Sequence, residues 1–238
     1  MNRVILGFAV LVLCSAAFSA GTPVSSNDSK QAGEAQPLEK VLDSMDAAAE
    51  KFRSAEMNFD ADQYESAVNV HTPQNGVMYI RKTGSSIEMA ADIKNPNQYV
   101  LFTHNKVQLY QPAIDQLTVY DAGKNQEAVQ SFLVLGFGKR GHDLSQQFEV
   151  KYAGSEKIGA IETGKLELVP KSPRVRGMFE RIVLWIDLAR GISVQQQFFE
   201  PASGNYRLVK YSGIRLNVKI RDDVFRLKTT SRTKVVTP

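Results

Sequence analysis

The stretch that most constrains this chain is Gly76–Asp121, five short apolar-alternating runs set between turn signals at Thr83-Gly84, Asn95-Pro96-Asn97, His104-Asn105 and Gln111-Pro112. From Ser85 to Lys94 the alternation is strict. Ile87, Met89, Ala91 and Ile93 fall on one side, and Ser86, Glu88, Asp92 and Lys94 on the other. A period of two sends successive side chains to opposite faces, so the run is a strand with one oily and one wet face. Turns this tight join neighbours, and the whole stretch is predicted to be an antiparallel meander. Its oily face must be covered, and whether that cover can leave is the functional question.

The same pattern continues on both sides. Ser54–Val70 reads as a long strand with Ala55, Met57, Phe59 and Ala61 on one face, followed by a turn over residues 71–76. Runs at Gln147–Ala153, Thr163–Val169, Phe179–Leu188, Ile192–Glu200 and Asn205–Ile220 bring the total to about eleven strands. In the last of these, Ile214, Leu216, Val218 and Ile220 share one face. Leu38, Val41, Leu42, Met45, Ala48, Ala49 and Phe52 recur at helical spacing behind Pro37, predicting an amphipathic helix from Pro37 onward. That stripe is accounted for by packing on the sheet. The fold class expected is mainly β, one curved antiparallel sheet forming an incomplete barrel with an N-terminal helix and short lid helices.

Residues 125–137 break the strand pattern. Val129, Phe132, Leu133 and Gly136 stand at helical spacing after Asn125, a plausible N-cap, and Phe137 closes the run. So apolar a segment cannot sit bare in water and is expected on the oily side of the sheet.

The ends of the chain address its compartment. Asn2-Arg3 followed by the apolar run Val4–Phe18 and small residues to Ala20 has the form of a secretory signal peptide over residues 1–20, too short for a membrane span. Cleavage after Ala17 or after Ser19 both satisfy the small-residue rule. The only cysteine, Cys14, lies within this segment. It is either removed or serves as a lipid attachment site, although Leu13 before it is bulky for that role. Residues 21–36 are small and polar, a linker, leaving 37–238 as one domain that needs no disulfide.

Several functions are disfavoured. Formal charge is +4, and +3 once Arg3 is lost with the leader. Lys and Arg are scattered among acids, without the one-sided stripe that nucleic acid demands. His71, His104 and His142 are far apart in sequence and have no cysteine to join them, so no metal site is predicted. There is no nucleophile elbow, phosphate loop or dinucleotide fingerprint. No enzyme and no cofactor is expected.

With those residues in place, the chain resembles the periplasmic lipoprotein carriers of the LolA type. The resemblance spans most of residues 38–236. It rests on the order of leader, helix and long strand, on Gly76-Val-Met-Tyr-Ile-Arg-Lys82 and on the oily strand Ile87/Met89. It continues through Leu109-Tyr110-Gln-Pro112, Asp115-Gln116-Leu117-Thr118, the apolar run 125–137 and the closing Ile220-Arg-Asp-Asp-Val-Phe225. The resemblance implies a monomeric carrier that shields acylated lipoproteins or lipid acyl chains, taking them from an inner-membrane release complex to an outer-membrane acceptor. It implies a cavity lined by Met57, Phe59, Ile87, Met89, Ala91, Ile93, Leu109, Leu117 and Val119, under a lid of Val129, Phe132, Leu133 and Phe137. A basic residue at the end of the second strand would tether that lid; Arg81 and Lys82 both qualify, Arg81 ahead because a guanidinium offers several donors to lid carbonyls, with Thr83 where the family has proline. The same fold would serve an anchored lipoprotein acceptor, or a module that senses mislocalised lipoproteins, although the latter would need a second domain.

Overall fold

The computed structural model describes residues 31–84, 86–121, 123 and 135–237, residues 31–36 as backbone alone. Helix α1 spans Gln31–Lys51, and the strands are β1 Ser54–Glu65, β2 Val70–Thr83, β3 Ser86–Ile93, β4 Gln98–Thr103, β5 Lys106–Gln111 and β6 Gln116–Asp121. After a short helix α2, Leu144–Gln147, come β7 Phe148–Ile158 and β8 Ile161–Pro170. A second short helix, α3 Pro173–Arg176, precedes β9 Arg181–Asp187, β10 Ile192–Phe199, β11 Tyr206–Leu216 and β12 Lys234–Val236. All twelve strands form one sheet in the order β12-β6-β5-β4-β3-β2-β1-β11-β10-β9-β8-β7. Among the described residues every pairing is antiparallel except β12 with β6, and no pairing of β7 with β12 closes the ring. The incomplete barrel expected from the sequence is thus an open sheet of twelve strands.

Three boundaries differ from expectation. The first hairpin turns at residues 66–69, where Asn69 adopts a left-handed φ of 49°, and not at 71–76. Strand β2 runs straight through Pro73, which pairs with Asp62. Helix α1 is continuous through Pro37 from Gln31, ahead of the predicted start. The last long strand stops at Leu216, because Asn217 turns the chain with a φ of 57°. Its Oδ1 accepts from the Arg53 amide at 2.7 Å, and its own amide donates to the Ser54 carbonyl. Val218 and Ile220 therefore leave the face that Leu216 occupies and pack on the opposite one with Ala90 and Leu101.

The predicted stripe of α1 holds the helix on the sheet. Val41, Leu42 and Met45 are buried among Leu166, Leu168, Ile182, Leu184 and Ile186 of β8 and β9, while Phe52 enters the neighbouring apolar cluster. Close approach needs a glycine: a Cβ on Gly191, whose φ is +64°, would lie 2.0 Å from the Ser44 carbonyl oxygen. The helix thus covers the β7–β10 half of the inner face and leaves the β1–β6 half to other parts of the chain.

Candidate functional site

Each hairpin from β1 to β6 has a turn of two or four residues, so paired residue numbers always sum to an odd value. Odd positions of one strand therefore face with even positions of the next. The inner face receives odd residues from β1, even from β2, odd from β3, even from β4, odd from β5 and even from β6.

Seven of the predicted cavity residues obey this rule and come together. Met57, Phe59, Met89, Ala91, Ile93 and Leu109 belong to one buried apolar cluster, with Ile87 packed against it. Leu117 and Val119 do not join them. Leu109 pairs with Thr118 and Val107 with Tyr120, so the inward positions of β6 are Thr118 and Tyr120, and both predicted residues face the other way. The cluster also contains residues that the sequence pattern does not single out: Met78 and Ile80 of β2, Phe102 of β4, and Val107. Fully buried rings and thioethers side by side make a surface that can repack around a hydrocarbon chain, since Met is unbranched and adaptable.

Of the predicted lid, Val129, Phe132 and Leu133 lie outside the described residues. Phe137 is described, and it sits on the inner face with 1% of its surface exposed. Its ring meets Tyr211 of β11 edge-on, 5.1 Å between centroids. The segment is docked to β10 by two hydrogen bonds. The Ser193 amide donates to the Gly136 carbonyl at 2.9 Å, and Gln196 Nε2 donates to the Leu135 carbonyl at 2.6 Å. A bulge between Ser193 and Gln195 lets these two residues, three apart, serve the same side of the sheet. Gly136 allows the approach, since a Cβ there would lie 2.4 Å from the Ser193 Cβ.

Beyond Phe137 the chain is clamped to α1 by charge. His142 lies 3.0 Å from both Glu39 and Asp46, and Arg140 lies 2.9 Å from Asp46. Glu39 and then Asp46 raise the His142 pKa above its ordinary value against a smaller effect of burial. Burial works to raise the Asp46 pKa, but hydrogen bonds from Arg140 and His142 outweigh it and hold the carboxyl below its usual range.

One end of the inner face is polar. Arg207 of β11 is buried there and donates from Nη2 to Gln74 Oε1 at 3.3 Å. Burial lowers its pKa to about 10, with Tyr211 opposing, so the guanidinium stays charged at neutral pH. Tyr211 is pushed the other way by its own burial, partly offset by Arg207, and its hydroxyl donates to Gln196 Oε1 at 3.1 Å.

The two tether candidates point to opposite faces. Lys82 pairs with Ile87 and shares its inward side. Arg81 faces outward, where Nε and Nη2 donate to Glu88 Oε2 at 2.9 and 2.7 Å and Nη1 donates to Asp222. Its guanidinium lies 4.3 Å over the ring of Phe225. Arg81 thus fastens the C-terminal strap, residues 218–237, to the outer face and does not reach the inner one. Farther along, the strap is caught by Asp115, which accepts from Thr233 Oγ1 at 2.8 Å and from Tyr110 at 3.0 Å. Between strap and sheet lies an outer cleft of about 530 Å³, walled by Tyr79, Tyr99 and Tyr110 opposite Val224 and Leu227.

Among the described residues no group of three or more His, Cys, Asp or Glu side chains could hold a metal ion. No helix among them is long and apolar enough to cross a membrane.

No family model matches the chain, and no curated protein matches it. Solved structures do. An uncharacterized conserved protein from Thermus thermophilus matches with a TM-score of 0.54 at 11% identity, over 84% of this chain and 98% of that one. A putative outer membrane lipoprotein-sorting protein domain from Vibrio parahaemolyticus matches at 0.46 and 12% identity, over 80% of this chain and 96% of that one. A LolA superfamily protein from Nitrosomonas europaea matches at 0.42 and 11% identity, over 80% and 97%. At 11% identity, the match to the Thermus thermophilus protein is a likeness of fold.

Proposed function

We propose that the protein is a periplasmic carrier that holds acyl chains, of lipoproteins or of lipids, against the inner face of its sheet while they cross between membranes. The observation that carries this reading is the continuous apolar cluster from β1 to β5, with Met57, Phe59, Met89 and Leu109 at its centre. Each methylene left in water costs about 0.8 kcal/mol, so a long chain must be shielded on its way. The place is kept by the protein's own side chains until a guest arrives. Leu135–Phe137 is the part that gives way, because Phe137 is seated on the same cluster without belonging to a strand of the sheet. In this reading the tether is Lys82, whose pairing with Ile87 puts it on the inner side. An inner-membrane release complex supplies the cargo and an outer-membrane acceptor receives it. Purification of the native protein from the periplasm, followed by mass spectrometry under non-denaturing conditions, tests the reading. A co-purifying acylated lipoprotein or lipid is the expected result; protein alone, with no uptake of added acyl probe, would reject it.

A further inference from the structure

The outer cleft of about 530 Å³ beneath the C-terminal strap has no part in the acyl-carrier reading. Its shape follows from the register. Tyr79 pairs with Ala90 and Ala90 with Leu101, so one row across β2, β3 and β4 has a methyl between a ring and a branched chain. In the next row Asp92 pairs with Tyr99 and Tyr99 with Tyr110. The two tyrosine rings stack at 25° with 6.3 Å between centroids. The strap closes the far side with Val224 and Leu227. It is fixed before and after that stretch, by Arg81 on Asp222 and by Thr233 on Asp115, so the space is formed before any ligand arrives.

The polar groups of the cleft are unevenly matched. Both acids that line it have cations of their own: Lys94 donates to Asp92 at 2.9 Å, and Arg221 Nε to Asp223 at 2.9 Å. Arg226 and Lys228 also line it, exposed on the strap, and form no ion pair with any described residue. The hydroxyls of Tyr79 and Tyr99 make no hydrogen bond to a described residue either. Two uncommitted cations favour an anion, because charge-assisted hydrogen bonds are the strong ones. The two phenols and Asn97 can donate to and accept from hydroxyl groups, while the tyrosine rings offer apolar faces. An apolar wall with a few convergent polar groups is the usual form of a small-molecule site. We propose that this cleft binds an anionic sugar, a pyranose carrying a carboxylate or a phosphate. Its C–H face lies on Tyr79 and Tyr99 and its charge at Arg226 and Lys228. A pyranose suits both kinds of lining at once, since its faces are apolar and its edge is ringed with hydroxyls. The site is on the opposite face of the sheet from the acyl cluster and stands whether or not that reading does.

The test titrates the intact, isotope-labelled protein with glucuronate, glucose 6-phosphate, glucose, phenyl phosphate and inorganic phosphate, reading backbone amide shifts. One or both anionic sugars should shift Ala90, Asp92, Leu227 and Lys228 saturably, at about tenfold lower concentration than glucose, the scale of one charge-assisted hydrogen bond. Which of the two leads identifies the anion. Arg226→Gln combined with Lys228→Gln should remove that advantage, and both side chains are exposed, so the fold is not at stake. Equal or absent responses to the charged and neutral sugars overturn the inference. So does inorganic phosphate matching glucose 6-phosphate, which would make this a bare ion site, or phenyl phosphate exceeding both anionic sugars, which would make it an aromatic one. An advantage that survives the double substitution overturns it as well. None of these outcomes bears on acyl binding at Met57 and Met89.

Discussion

Replacing Phe137 by Ala separates a core residue from a displaceable one. The ring is 1% exposed and contacts Tyr211 edge-on. Removing a fully buried Phe costs about 3–5 kcal/mol, of which about 0.5–1.5 belongs to the aromatic pair. Urea unfolding should show that loss. If Phe137 merely completes the core, acyl binding should stay constant or weaken, since the face is less well ordered. If Phe137 stands where a guest must lie, the variant no longer loses those contacts on binding and leaves a cavity to fill. When about half of the lower figure is contact the guest displaces, roughly 1.5 kcal/mol, affinity rises about tenfold. A fluorescent acyl probe titrated into both proteins reads this directly. Lower stability together with unchanged or weaker probe binding would refute the competition argument.

Arg81→Met should loosen the strap, unpairing the partly buried Glu88 and uncovering one face of Phe225. The expected loss is about 1–3 kcal/mol, with faster amide exchange in residues 218–227 and acyl binding as in wild type. Stability should also fall as pH rises through neutrality. The folded pKa of His142 is raised, chiefly by Glu39, so its contribution is complete below the unfolded value of about 6.5 and is lost as pH climbs through the folded one. His142→Gln should flatten that slope in urea melts at graded pH, and a wild-type slope in the variant would remove the clamp from the explanation. The Asp46 effect has the opposite sense: with its pKa lowered, its contribution holds above the ordinary carboxylate pKa and disappears in acid.

Most of the inner face is legible in the sequence because alternation within one strand is local. Ile87, Met89, Ala91 and Ile93 can be grouped from β3 alone, and Met57 with Phe59 from β1. Transfer of that face from strand to strand depends on turn length, and there the expectation for Leu117 and Val119 fails. With four residues between Gln111 and Gln116 the parity must flip, which the Gln111-Pro112 turn signal alone does not reveal. The same count sends Arg81 outward and Lys82 inward. Val218 and Ile220 are misplaced for another reason: Asn217 interrupts an alternation that looks unbroken, and only its hydrogen bonds to Arg53 and Ser54 make it a turn. Arg207 is inconspicuous because a lone arginine in a strand reads as a wet-face residue, and its place beside Gln74 depends on the pairing of β1 with both β2 and β11.

The most direct test uses the protein's own methionines. With ε-methyl labelling, Met57, Met78 and Met89 report from the inner face, Met45 from beneath α1 and Met178 from the loop before β9. A fatty acid with a nitroxide on its chain should broaden Met57 and Met89 most strongly and leave Met178 sharp. Uniform or absent broadening at those two methyls, in the presence of bound ligand, would place the chain elsewhere and contradict the account.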